Sequence, residues 1–220
     1  EWYKDLDVNA FKRVRDEIRT GFIEGRTNDQ IIRSIRGTRA GQFKDGILEI
    51  NRRGASTMVR TALNHTANVA RNETFKANRS VLKGVQWHAT LDNRTSAACR
   101  GFDGQIFPLD RGPRPPIHPN CRSTTIPITK SWKELGINLK EAPAGTRASM
   151  NGQVPSTLTY NDWLKKQPVG FQDDILGKTK GQLYRKGDVS LDRFTDLAGK
   201  EYTLAELKIR EAAAFTKAGI

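Results

Sequence analysis

The sequence predicts an α+β protein: a helical N-terminal region with one long helix, a small antiparallel β unit braced by a proline-rich loop, and an α-rich C-terminal part. Three observations predict it. Apolar residues recur every three or four positions through the first third, alternate singly around residues 85–91, and return to helical spacing behind capping signals beyond residue 158. The 220 residues include 36% hydrophobic and 28% charged side chains, enough for a modest core in one ordinary domain or two small ones. Mean hydropathy is −0.62, and no apolar run approaches the roughly 18 residues of a membrane span. Glu1 opens into an amphipathic pattern without a basic and then apolar leader, so no secretory signal is expected in it.

Val8, Phe11, Val14, Ile18 and Phe22 form one apolar stripe on a first helix that should stop by Gly25. Thr27 and Gln30 fit a capping box opening a short helix through Ile31, Ile32 and Ile35, closed by Gly37. From Phe43 to Arg79 no proline occurs, and one long helix is expected, with Gly54 the place for a break. Its expected buried stripe includes Met58, Ala62, Val69 and Ala70. Val85, Trp87, Ala89 and Leu91 then alternate with polar residues as in a half-buried strand. Asp92 to Ser96 reads as a turn, and Asp103-Gly104 as a hairpin into Gln105-Ile106-Phe107. Five prolines between residues 108 and 119 demand an extended loop, and Ser123 to Ile128 returns to strand character. Residues 143–157 read as a turn-rich connector. A helix starts at Thr159 and is stopped by Pro168; a short one through Phe171, Ile175 and Leu176 ends at Gly177. Thr203 and Glu206 form a second capping box before a terminal helix through Leu204, Leu207 and Phe215. The expected divisions are 1–80 (helical), 81–130 (β unit) and 131–220 (α-rich).

The net charge is +13, from 37 Lys and Arg against 24 Asp and Glu. It is spread as +6 over residues 1–80, +4 over 81–130 and +3 over 131–220, so no basic arm exists. A positively charged body favours polyanions through counterion release, which is salt-sensitive and blind to base sequence. Arg provides 12 of the 16 basic residues of the first segment, and its planar fork suits phosphate contact. Nonspecific contact with double-stranded DNA is expected. Sequence-specific reading is not, because no groove-reading motif occurs.

The densest unusual chemistry lies between Trp87 and Arg122. Cys99 and Cys121 are the chain's two cysteines, and His118 is one of three histidines. His118 and Cys121 stand three apart in a proline-braced turn, a spacing that lets both reach one metal. Cys99, His118 and Cys121 are therefore the candidate ligands of zinc, whose structural sites take four donors. The fourth would be His88, Asp92, Asp103 or water. The alternatives are two reduced, half-buried thiols or a Cys99–Cys121 disulfide. A Cys121–His118 nucleophile pair has the right residue types, but a proline-rich turn suits structure better. A metal-dependent nuclease would draft His118, Asn120 and Asp92, without the ββα spacing such a site uses. His65, among polar residues mid-helix, reads as a packing residue. GxGxxG, GxxxxGK[ST] and HExxH are all missing, so no nucleotide cofactor is expected.

The ordered run Trp87, Leu91-Asp92-Asn93-Arg94-Thr95, Cys99-Arg100, Asp103-Gly104, Phe107 and Pro115-Pro116-Ile117-His118-Pro119-Asn120-Cys121-Arg122 resembles the phage Mu F-like minor head proteins, also called phage head morphogenesis proteins. The resemblance covers about residues 55–128, preceded by a helical region; Tyr160 to Pro168 is similar to the downstream part of such proteins. It implies a non-enzymatic virion protein, located in the head interior and, during assembly, in the host cytoplasm. Its partners would be the portal or the major capsid protein, with DNA contact in some members and no membrane. Many members carry a further Cys near Ser96 and another beside the Arg of the HPNCR run, where this chain has Ser123. That departure leaves Cys99, His118 and Cys121 as the positions matching a metal set. The readings set against a head protein are a metal-dependent nuclease and a carrier module of a toxin system. Relatives with fused toxin or enzyme domains exist, but residues 129–220 show no such chemistry.

Overall fold

The computed structural model describes residues 8–48, 52–196 and 198–220, and it is an α+β protein with small antiparallel sheets. The chain divides into two units. One takes the described residues up to Arg71 together with Pro115–Cys121; the other takes Asn72–Arg114 and Arg122–Ile220.

In the first unit, α1 (Val8–Ile23) and α2 (Asn28–Arg36) pack with the start of α3 (Arg52–Ala77). The core is aliphatic: Val14 and Ile18 from α1, Ile31, Ile32 and Ile35 from α2, Leu48, and Ala55 and Val59 from α3. Helix α1 approaches α2 closely because Gly21 has no side chain; a Cβ there would lie 2.6 Å from Ile31 Cγ1. The capping box of α2 forms as the sequence dictates. Gln30 N donates to Thr27 Oγ1 at 3.3 Å, and Thr27 N donates to Gln30 Oε1 at 2.7 Å. Gly37 closes the helix at φ 85°, a left-handed backbone that an L side chain resists.

The expected helix from Phe43 is corrected to one that begins at Arg52 and runs unbroken through Gly54. Residues 38–48 turn instead, and residues 49–51 of that expectation lie outside the described residues. The turn has a local cause. Asp45 accepts from both the backbone N and the Oγ1 of Thr38, at 2.7 and 2.6 Å, and those hydrogen bonds hold its carboxyl below the usual range. Gln42 and Phe43 adopt positive φ within it. The α1 stripe is also only partly covered. Val14 and Ile18 are buried, whereas Val8 and Phe22 stay in water.

In the second unit, β1 (Leu82–His88) is the centre of a sheet ordered β2-β1-β3. Strand β2 (Ile106–Phe107) and strand β3 (Thr124–Thr129) both pair antiparallel with it, with Val85 opposite Phe107 and Trp87 opposite Thr125. Val85, Trp87, Ala89 and Leu91 are all buried, as their alternation predicts. A short helix, α4 (Ala97–Phe102), fills the link between β1 and β2, where only a turn and a hairpin were expected. The supposed connector at 143–157 is a hairpin of β4 (Thr146–Ser149) and β5 (Gly152–Pro155). Helices α5 (Tyr160–Lys165) and α6 (Val169–Leu176) match expectation, and α7 (Lys178–Arg185) is additional. The terminal helix is two: α8 (Leu204–Arg210), opened by the Thr203–Glu206 capping box, and α9 (Ala212–Ala218), separated at Glu211 where φ is −125°. These helices enclose an aromatic core of Tyr160, Trp163, Tyr184, Phe194 and Phe215, which Leu91 joins from the end of the β1 segment.

Candidate functional site

The His118–Cys121 turn is built by its own backbone and by α3. Cys121 N donates to the His118 carbonyl at 3.2 Å, and Asn120 between them sits at φ 56°. Asn tolerates that left-handed backbone better than other non-glycine residues do. Helix α3 then grips the turn with one polar stripe at positions i, i+4, i+7 and i+11. Thr61 Oγ1 accepts from Asn120 N at 2.9 Å, and Thr57 Oγ1 accepts from Asn120 Nδ2 at 2.9 Å. Asn64 Nδ2 donates to the Cys121 carbonyl at 2.8 Å. Asn68 Nδ2 in turn donates to Asn64 Oδ1 at 2.8 Å, which fixes the Asn64 amide with its nitrogen toward the turn. Thr61 and Asn68 are each 1% exposed, so these hydrogen bonds offset the cost of burying them.

This corrects the stripe expected on α3. Met58 and Ala62 are half-buried and Val69 and Ala70 are exposed; the buried residues are Ala55, Val59, Thr61 and Asn68. The sequence signal for the clasp is the recurrence of Thr and Asn at helical spacing, which apolar periodicity does not register. His65 is exposed rather than packed away.

His118 Nδ1 lies 2.8 Å from the Pro119 carbonyl. A carbonyl only accepts, so Nδ1 carries the proton and the neutral ring has its lone pair on Nε2. That is the tautomer a metal-ligating histidine uses, with a backbone carbonyl as the outer partner. Cys99 lies in the first turn of α4, its amide donating to the Ser96 N-cap hydroxyl at 3.3 Å. Cys99 and Cys121 are 2% and 3% exposed, and neither forms a disulfide. His118 and Cys121 belong to the first unit and Cys99 to the second. Two thiols and an imidazole are borderline-soft donors suited to zinc, and thiolates buried this deeply require a cation beside them.

Asp103 and Asp92, two of the residues considered for a fourth donor, do other work. Asp103 has no exposed side-chain surface and accepts four hydrogen bonds. They come from Ala89 N and Tyr160 N, both at 2.6 Å, and from Arg147 Nη1 and Nη2, both at 3.1 Å. Arg147 also donates to the carbonyls of Leu158 and Ala89, so this buried ion pair ties β1, β4 and the start of α5 together. Nothing in the sequence marked Arg147, 44 residues away from Asp103. Asp92 pairs with both Nη atoms of Arg122 and accepts from Arg94 N at 3.0 Å and Thr95 Oγ1 at 3.1 Å. Burial alone would raise its carboxyl; the Arg122 and Arg94 hydrogen bonds outweigh that and bring it down to about 2. His88 is held below its usual value, first by burial and then by the Arg147 charge, so it is neutral at pH 7.

A family model, phage Mu protein F-like, matches residues 12–126. No curated protein and no solved structure matches the chain. The matched segment is just over half of the 220 residues and contains α3, β1, β2, the start of β3, Cys99 and the whole His118–Cys121 turn. The chain belongs to the phage Mu protein F-like family, a family of phage head morphogenesis proteins.

Proposed function

We propose that this protein is a minor head protein of a tailed phage, seated inside the capsid at the portal or the major capsid protein and touching packaged DNA without regard to sequence. The family match over residues 12–126 carries the reading. The charge of +13 supports the DNA contact, and so does the exposure of Lys12 and Arg13 along α1. Location in the particle tests the reading: the protein should co-purify with intact heads and be protected from added protease until they are opened. Its absence from assembled heads would overturn the proposal. Binding to duplex DNA should weaken steeply with salt and not vary between unrelated sequences.

The role is structural rather than catalytic. Asp92 and Asp103, the carboxylates a nuclease would recruit, are committed to Arg122 and Arg147. Plasmid DNA should therefore survive incubation with the protein and magnesium, manganese or zinc.

Cys99, His118 and Cys121 fit zinc by donor type and by the His118 tautomer. When bound, the ion would supply cross-linking and neutralise the two thiolates. Elemental analysis of purified protein should find zinc near one equivalent, and Cys121→Ser should lose it. Zinc-free protein with unchanged stability in a chelator would remove the metal from the account.

A further inference from the structure

Helices α1 and α3 leave a groove on the first unit of ≈ 490 Å³. Phe11, Ile18, Phe22 and Ile23 line one wall, and Ala62 and Leu63 the other. Phe11, Ile18 and Phe22 fall on one stripe of α1, while Val14, Ile18 and Gly21 form the stripe that meets the core. The helix therefore has an apolar arc wider than its own unit covers. Phe22 is 57% exposed and Ile23 72%. Large side chains left in water beside a concave surface mark a site where a partner completes the burial.

The charge around the groove says which partner. Among the described residues its polar lining is Arg15, Arg19, His65 and Thr66, with no carboxylate. Arg15 is offset by Asp16 at 3.1 Å, but among the described residues Arg19 has no ion-pair partner, nor have Lys12 and Arg13 nearby in sequence on the exposed side of α1. A second copy of this face would bring arginine against arginine and is disfavoured. Duplex DNA would satisfy the arginines yet offers no apolar face to fill the groove. From Phe11 to Ile23 the wall is about 18 Å long at the helical rise, room for roughly three turns of helix.

We infer that this groove docks an amphipathic helix of another protein, with an apolar stripe against Phe22, Ile23 and Leu63 and an acidic flank against Arg19. That the helix belongs to a portal or capsid component rests on the proposed function; the chemistry of the occupant does not.

The test uses the full chain and two synthetic helical peptides of about 14 residues, sized to the groove length. Both carry leucines at i, i+3, i+4, i+7 and i+11; one has glutamates on the flanks and the other lysines. Fluorescence anisotropy should show the glutamate peptide binding and the lysine peptide at least about tenfold weaker. Phe22→Ser and Ile23→Ser alter exposed positions and should each weaken the glutamate peptide by about tenfold, with Arg19→Glu reversing the peptide preference. Circular dichroism of each variant should match the parent. Equal binding of both peptides, or no effect of Phe22→Ser and Ile23→Ser in folded protein, overturns the inference. So does displacement of the peptide by duplex DNA, or a dimer in sedimentation that Phe22→Ser dissolves. Absence of the protein from phage heads with peptide binding intact would instead remove the proposed function and leave the groove standing.

Discussion

The two units solve the same packing problem with opposite materials. The first has an aliphatic core, rich in isoleucine and, among the described residues, without an aromatic ring, and it finishes its surface with polar clasps on α3. The second buries aromatic rings in edge contacts, with Tyr160 to Trp163 centroids 5.1 Å apart and Trp163 to Phe171 5.9 Å. Aromatic side chains bring polar handles inside: Tyr160 OH donates to the Asp92 carbonyl at 2.6 Å, and burial pushes that phenol up to about 12. Around Asp103 and Arg147 the second unit is specified by directional bonds in its centre. The first is specified at its edges, by caps and clasps, and leaves Phe22 and Ile23 uncovered. Both units leave apolar side chains in water, Ile106, Leu139 and Ile209 among them in the second, but in the first Phe22 and Ile23 line a groove.

The sharpest break in that contrast would come from Asp103→Ala. It strands the Arg147 guanidinium and the amides of Ala89 and Tyr160 in the interior, and should cost about 3–5 kcal/mol in urea unfolding. If the loss is under about 1 kcal/mol, the second unit is not organised around this pair. Ile35→Ala, fully buried in the aliphatic core, should cost about 2–5 kcal/mol and speed hydrogen exchange most in α1 and α2. Asp92→Asn should act through pH. The Asp92 carboxyl is lowered from 3.8 to about 2 on folding, so its ionised form stabilises the protein above pH 3.8, and that contribution fades as pH falls toward 2. Parent and variant should thus differ most in midpoint at neutral pH and converge on acidification. Thr27→Ala and Thr203→Ala remove one cap from each unit and should each cost about 1 kcal/mol, the same in both despite their different cores. Arg15→Ala removes an exposed pair with Asp16 and should change the melting midpoint least, by under about 0.5 kcal/mol.

Local chemistry was legible in the sequence; coverage and distant pairing were not. Thr27 with Gln30 and Thr203 with Glu206 declare helix starts because each box is complete within four residues. The alternation from Val85 to Leu91 declares a strand for the same reason. Helix α4 escaped because six residues, AACRGF, are too few to display a period, and β4 and β5 escaped because four-residue strands beside Gly and Pro read as turns. The stripe from Val8 to Phe22 identifies a shared face without saying whether anything lies on it, and Val8 and Phe22 stay in water. At the candidate site, the His118–Cys121 spacing was readable because the two residues are neighbours in one turn. Asp103 was read as part of a hairpin, since its burial depends on an arginine far along the chain.

Because α3 holds the His118–Cys121 turn by bonds to its main chain and to the Asn120 amide, the grip is indifferent to most side chains just upstream. The stretch between Phe107 and Pro115 keeps its own ties, Arg114 to the carbonyls of Pro108 and Pro113 and Gly112 close against Phe107, and insertions that spare those residues should leave the anchored end at its address. Epitope tags or affinity handles inserted there should be accommodated where the same insertion between His118 and Cys121 would be rejected, and natural variation should pool upstream of the knot.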